Sequence, residues 1–225
     1  MSVKNNIKLI NHSLKPECKL IAVSKTQPIE KLMEAYEAGQ RIFGENKVQE
    51  LESKHQALPK DIEWHMIGHL QSNKVKYIAP FISLIHSIDS IKLLEEINKQ
   101  AKKNNRIISC LLQVYIAQEE TKFGFNETEV IDLLSNFPAQ FTYIKIIGLM
   151  GMATLTENNE QIRKEFKSLK LLFEKIKNQT NTDQIQMKEL SMGMSSDYKI
   201  AAEEGSTFVR IGTMIFGERN YTIQS

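Results

Sequence analysis

Short apolar runs recur along the whole chain with helix-like segments between them, and this alternation restricts what the chain can fold into. The runs are KLIAVSK (19–25), RIFGEN (41–46), EWHMIG (63–68), LIHSID (84–89), IISCLLQVY (107–115), YIKIIGLMGM (143–152), MKELSMGM (187–194) and FVRIGTMIFG (208–217). Each is brief, rich in Ile, Val, Leu or Met and almost continuously hydrophobic, the pattern of parallel strands buried on both faces. Eight such runs alternating with helices predict an α/β fold, a (β/α)8 TIM barrel. An open doubly wound sheet has the same alternation, and strand count alone does not separate the two. The barrel carries the more useful expectation, because its ligand groups sit at the C-terminal ends of the strands.

The intervening segments have their own signals. Pro28 stands at a plausible first helical turn before Ile29–Tyr36, with Gly39 as a stop, and Ser90 is placed to cap a helix over 91–103. In 158–178, Ile162, Phe166, Leu169, Leu172, Phe173 and Ile176 recur at spacings of three and four, an amphipathic helix. A short helix is expected over 197–204 before Gly205, and a leading helix within 1–15. There is no internal repeat and no Pro/Gly/Ser linker. The 225 residues therefore read as one domain, 1–225, within the roughly 200–250 typical of such barrels.

Composition removes several function classes. The share of hydrophobic residues, 41%, and of charged ones, 25%, is that of a soluble globular protein. A net charge of +2 is neutral on nucleic acid, and no nucleic-acid partner is expected. The basic run at 102–106 reads as a solvated helix end, favoured by the helix dipole. Cys18 and Cys110 form no CxxC pair; a disulfide between them is left open, while sparse cysteine fits a reducing cytoplasm. No apolar run approaches the roughly 18 residues of a membrane span, and the first residues lack a signal-peptide core. A cytoplasmic location is the expectation.

Polar residues and glycines collect at the strand ends. Lys25 closes the first strand, where a lysine is costly to desolvate. Apolar walls disfavour its ammonium and make the neutral, carbonyl-trapping amine more accessible; the competing reading is a lysine that snorkels to solvent. Gly193, Ser195, Gly212 and Thr213 suit a phosphate, which barrels bind after strands seven and eight, though glycines also serve tight turns there. Arg210 interrupts an apolar strand, so it meets either a ligand or a carboxylate. His65, His69 and His86 are not at i, i+4 spacing and no acidic cluster accompanies them, so no metal site is expected. GxSxG, Walker A and GxGxxG are absent. The methionines of GLMGM and SMGM read as barrel packing.

Taken in order, AVSKTQP (22–28), FGENKVQE (43–50), WHMIGHLQSNK (64–74), HSIDS (86–90), LLQV (111–114), TKFG (121–124), GLM (148–150), SMGMSSDY (191–198) and RIGTMIFGER (210–219) resemble the pyridoxal phosphate homeostasis protein family. The resemblance implies a barrel like the N-terminal domain of alanine racemase without that enzyme's second domain. It implies pyridoxal 5′-phosphate (PLP) held as a Schiff base on Lys25, its phosphate held by Ser195 and the Gly212 and Thr213 amides, and Arg210 facing the pyridine nitrogen. Asn46, His65, Ser191 and Met194 fall in motifs near the cofactor. The implied role is a PLP carrier that buffers the cofactor and delivers it to PLP-dependent apoenzymes, with no catalytic residue of its own. A monomer is expected, and the alternative is a PLP-dependent amino-acid racemase. One departure is Tyr115, where the family commonly has Asn after LLQV; a bulkier group there bears on access to the ring.

Overall fold

The computed structural model describes residues 2–117 and 123–218. Eight parallel strands close into a barrel in chain order: β1 (Lys19–Val23), β2 (Ile42–Glu45), β3 (Glu63–Met66), β4 (Leu84–Ile88), β5 (Ile108–Val114), β6 (Ile144–Gly151), β7 (Ile185–Met194) and β8 (Phe208–Ile211). The open doubly wound sheet is excluded by the pairing of β1 with β8, in register Ile21 with Arg210 and Ala22 with Ile211. Among the described residues, α1 (Val3–Ser13) leads into the barrel. It is followed by α2 (Ile29–Glu37), α3 (Val48–Ala57), α4 (Val75–Ile78), α5 (Ile91–Lys103), α6 (Glu127–Ser135), α7 (Asn159–Gln179), α8 (Tyr198–Glu203) and α9 (Thr213–Phe216).

Strand alternation divides the apolar residues into two cores. Leu20 and Ala22 point outward and pack with Phe43, Trp64, Leu51, Leu94 and Phe166 between strands and helices. Ile21 points inward and packs with Leu84, Leu111, Met150 and Phe208 inside the barrel. The same period of two sends Val23 to the mouth above Ile21.

Several expectations hold at the level of caps. Ser90 accepts the Leu93 amide at 3.3 Å, and Pro28 stands at the cap of α2, one residue before its first turn. Helix α7 covers the amphipathic stretch and buries the six apolar residues that defined it. Others need correction. The eighth run is not a strand over 208–217: β8 ends at Ile211, and residues 213–216 coil into α9. Four residues, three of them apolar, are too few for periodicity to separate helix from strand. What decides is the tertiary supply of partners for the α9 carbonyls: the Asn6 side chain donates to Ile215 O at 2.9 Å and Lys31 to Phe216 O at 2.7 Å. The basic run also does more than meet solvent. Arg106 is half-buried and donates to Ala79 O at 2.7 Å and Ile82 O at 2.9 Å, closing the end of α4. Cys18 and Cys110 are both free and buried, so no disulfide joins them. The described residues contain no helix long and apolar enough to cross a membrane.

The rim of the barrel is shaped by a bulge. Ser191 pairs with Phe208 but Met194 pairs with Arg210, so β7 spends one extra residue there. Gly193 absorbs the bend at φ +94°, and a Cβ on it would lie 2.5 Å from Ala201 Cβ. The bend turns Met194 and Ser195 toward the mouth. Gly193→Ala is therefore expected to lose about 1–3 kcal/mol, from left-handed strain together with the clash against α8. Urea unfolding checks this; an unchanged midpoint would show that the bulge relaxes freely.

Candidate ligand cavity at the barrel mouth

Strand β1 stops at Val23, two residues earlier than the apolar run implies, because the chain turns. Gln27 N–H donates to Ser24 O at 3.0 Å, which places Lys25 and Thr26 at the centre of a four-residue turn. Lys25 is half-buried at the tip of this turn. It lines a cavity of about 390 Å³ at the C-terminal end of the barrel, within the usual size range for small-ligand sites.

The walls come from separate strands. Asn46 and Ile67 follow β2 and β3, and Met152 follows β6. From the β7 bulge come Met194, Ser195 and Ser196, while β8 supplies Arg210 and the residues after it, Gly212 and Thr213. Gly212 packs against β1 closely enough that a Cβ would meet Val23 O at 3.0 Å, so a larger residue would push the last loop away from the lysine turn. The hydroxyls of Thr213 and Ser195 are 3.2 Å apart and exposed to the opening.

The floor is charged and buried. Arg210 is 5% exposed; it donates to Ser191 Oγ at 2.7 Å and to Gly151 O at 3.1 Å. Among the described residues no carboxylate lies within ion-pair distance of it. Burial lowers its guanidinium to about 10 and Asp197 opposes that shift, so it is a cation at neutral pH. A buried cation with no carboxylate beside it favours a ligand atom that accepts hydrogen bonds or carries negative charge.

Beneath Arg210 a chain of hydrogen bonds runs through the barrel. Ser191 Oγ lies 2.9 Å from His86 Nδ1, and His86 Nε2 lies 3.0 Å from His65 Nδ1. Ser191 accepts from Arg210, so its own proton is best spent on His86 Nδ1; His86 then donates from Nε2 to His65. Every donor points away from the guanidinium, and both imidazoles are neutral. Burial, joined by the Lys19 charge, pushes His65 down to about 3. Burial and the neighbouring His65 and Arg210 hold His86 well below its ordinary value.

Comparison with known proteins identifies relatives. The profile of the alanine racemase N-terminal domain family matches residues 1–220. A pyridoxal phosphate homeostasis protein of Aquifex aeolicus is 44% identical over 204 residues, covering 90% of this chain and 88% of that one. The chain belongs to the pyridoxal phosphate homeostasis protein family. PipY of Synechococcus elongatus, solved without PLP, superposes on this family member with a TM-score of 0.89 at 36% identity, over 96% of this chain and all of PipY. The same protein with PLP bound gives 0.84 at 35% identity, with the same coverage.

Of the residues singled out in this family member's sequence, Lys25, Asn46, Met194, Ser195, Arg210, Gly212 and Thr213 all line the one cavity. His65 and Ser191 do not; they lie buried below it and reach it only through Arg210. His86, weighed from sequence only as a metal ligand, joins the two. A signal existed: His86 is two residues from the inward-facing Leu84 and so shares its face. Tyr115 does not line the cavity; its amide donates to Phe125 O at 2.9 Å. Thr121 and Lys122 of the TKFG motif, and Arg219, lie outside the described residues.

The neutral histidines make stability depend on pH. An unfolded His65 takes up a proton near 6.5, whereas the folded one resists protonation down to about 3. The unfolded state thus binds more protons across that window. Stability is full above about pH 6.5 and falls as pH drops toward 3, by up to about 1.4 kcal/mol per pH unit for His65, with His86 adding in the same direction. Urea midpoints taken between about pH 7.5 and 5 should decline, and His65→Gln should flatten the decline. A wild-type midpoint independent of pH would contradict neutral burial.

Proposed function

We propose that this protein binds PLP at the barrel mouth through Lys25 and acts as a carrier that buffers and delivers the cofactor, without catalytic turnover. The observation that carries the reading is that Lys25 and the buried Arg210, which has no carboxylate within ion-pair distance among the described residues, line the same cavity, a cationic floor beneath an amine. The relatives' names and the PLP-bound PipY structure support it. Bound PLP would supply an aldehyde able to condense with a lysine amine.

The residues present fit such a ligand. Ser195 and Thr213 hydroxyls, with the Gly212 and Thr213 amides, would hold the phosphate at the opening. Arg210 would face the pyridine nitrogen; a guanidinium only donates, so it keeps an opposing nitrogen as an acceptor, without a proton. Ser191, backed by His86 and His65, keeps Arg210 in place from below. Val23, Ile67, Met152 and Met194 exclude water around the Lys25 amine, and Asn46 adds a polar group beside them. All of these residues come from one chain, so the reading asks for no second subunit, and a monomer that passes PLP to apoenzymes is the simplest form of it. The free thiols of Cys18 and Cys110 fit a reducing cytoplasm. The racemase alternative needs an acid on the far face of a substrate carbon, and Tyr115, the candidate, is not in the cavity.

Lys25→Ala is expected to fold and to lose the chromophore that borohydride fixes in wild type. Fixation persisting in that variant would refute the attachment site. Pyridoxal, lacking the phosphate, should bind far more weakly than PLP, and Ser195→Ala should weaken PLP by about 1–2 kcal/mol. Equal affinity for pyridoxal and PLP would remove the phosphate role of the last two loops. Holo-protein incubated with amino acids in deuterated water should show no sustained exchange of the α-proton; multiple turnovers would promote the enzyme reading.

A further inference from the structure

The turn that bears Lys25 rests on a buried ionic cluster. Lys54, on α3, donates to Ser24 O at 2.7 Å, to Glu45 Oε1 at 2.8 Å and to Glu50 Oε1 at 2.7 Å. The Ser24 hydroxyl donates to the same Glu45 oxygen at 2.6 Å, and Thr26 N–H donates to Glu50 Oε1 at 2.5 Å. Three groups of the turn are thus gripped, on both sides of Lys25: the Ser24 carbonyl, the Ser24 hydroxyl and the Thr26 amide.

The arrangement costs stability in three ways at one place. Lys54 and Glu45 are buried, with side chains 6% and 0% exposed, and burial pushes the Glu45 carboxyl up. Desolvating such a pair consumes much of what the pair returns. Glu45 Oε2 is buried without a hydrogen-bond partner. Thr26 sits at φ +63°, a left-handed conformation unfavourable for a β-branched residue, at the turn position usually given to glycine. A pure stability element would have no reason to concentrate these costs beside one lysine.

We infer that Glu45, Lys54 and Glu50 are positioning residues that clamp the Ser24–Gln27 turn so that the Lys25 amine is held toward the cavity for covalent capture. This rests on the reading that Lys25 captures PLP. The clamp touches backbone and Ser24, and none of its three residues lines the cavity, so its loss should affect bonding to the lysine and spare non-covalent filling of the site.

The test separates the two by ligand. Pyridoxine 5′-phosphate has an alcohol where PLP has the aldehyde, so it can fill the cavity but cannot bond to Lys25. Apo-protein, Glu50→Ala and Glu50→Gln are titrated with each ligand by fluorescence, and thermal unfolding is recorded without ligand. Glu50 is the partly exposed member of the cluster, with a side chain 22% exposed, and is the gentlest to remove. Glu50→Ala should weaken PLP by about tenfold, the scale of one hydrogen bond to a charged group, and leave pyridoxine 5′-phosphate within about twofold of wild type. Glu50→Gln keeps the oxygen that accepts from both Thr26 and Lys54, and should recover most of the PLP affinity. If Glu50→Ala does not fold, Ser24→Ala, which removes the hydroxyl bond to Glu45, carries the same comparison. Unchanged PLP affinity, or equal weakening of both ligands, would overturn the clamp. Wild type that binds pyridoxine 5′-phosphate and PLP alike, with nothing fixed by borohydride, would instead overturn capture by Lys25 and the clamp with it.

Discussion

Pairing of β1 with β8 brings the beginning and the end of the chain into register, and the mouth of the barrel depends on it. Lys25 leaves β1 and Arg210 lies on β8, so neither has a functional neighbour until the sheet closes. Closure also sets how near the last loop can come. Gly212 approaches Val23 so closely that an added Cβ would lie 3.0 Å from the Val23 carbonyl oxygen, and beyond it Thr213 and Ser195 stand at the rim that Lys25 occupies. The helices serve the same end from outside: α1 and α2 hold the carbonyls of α9, fixing the chain where it leaves β8.

Inside the barrel the layers change character from apolar to polar toward the mouth. Ile21, Leu84, Leu111, Met150 and Phe208 form an apolar plug. Above it, His86, Ser191 and Arg210 form a hydrogen-bonded layer in which both His86 ring nitrogens have partners, tied to His65 at the level of the plug. Buried polar groups are tolerated only when satisfied. Here they are satisfied in one direction, each donor facing away from the guanidinium, so the arrangement holds the cation without neutralising it. A carboxylate in the place of Ser191 would have quenched the charge that the cavity presents.

The turn after β1 follows the opposite economy. A buried ion cluster, a carboxylate oxygen without a bond and a left-handed threonine gather beside Lys25. Rigid strands alone would have carried Lys25 onward in extended conformation; the turn lifts it to the cavity edge, and Glu45 at the end of β2, with Glu50 and Lys54 of α3, supplies the charges that hold it there.

Much of this was legible without coordinates. Eight apolar runs with helices between them located all eight strands, the first seven to within two residues at either end and the eighth running on past its end at Ile211, because a strand buried on both faces must be apolar along its length. Lys25, Arg210 and the glycines of the last loops stood out as exceptions to that rule, and the motifs they sit in matched one family. Other features needed the tertiary structure. The β7 bulge depends on a cross-strand register that no single segment encodes, and α9 depends on side chains from α1 and α2 to satisfy its carbonyls. Alternation from Leu84 turns His86 inward, but only the tertiary structure shows its two ring nitrogens bridging His65 and Ser191. The sequence by itself determined which residues could not rest in an apolar strand; only closure of the barrel decided which of them meet, because hydrogen bonds and charges act over a few ångströms between residues that the chain keeps far apart.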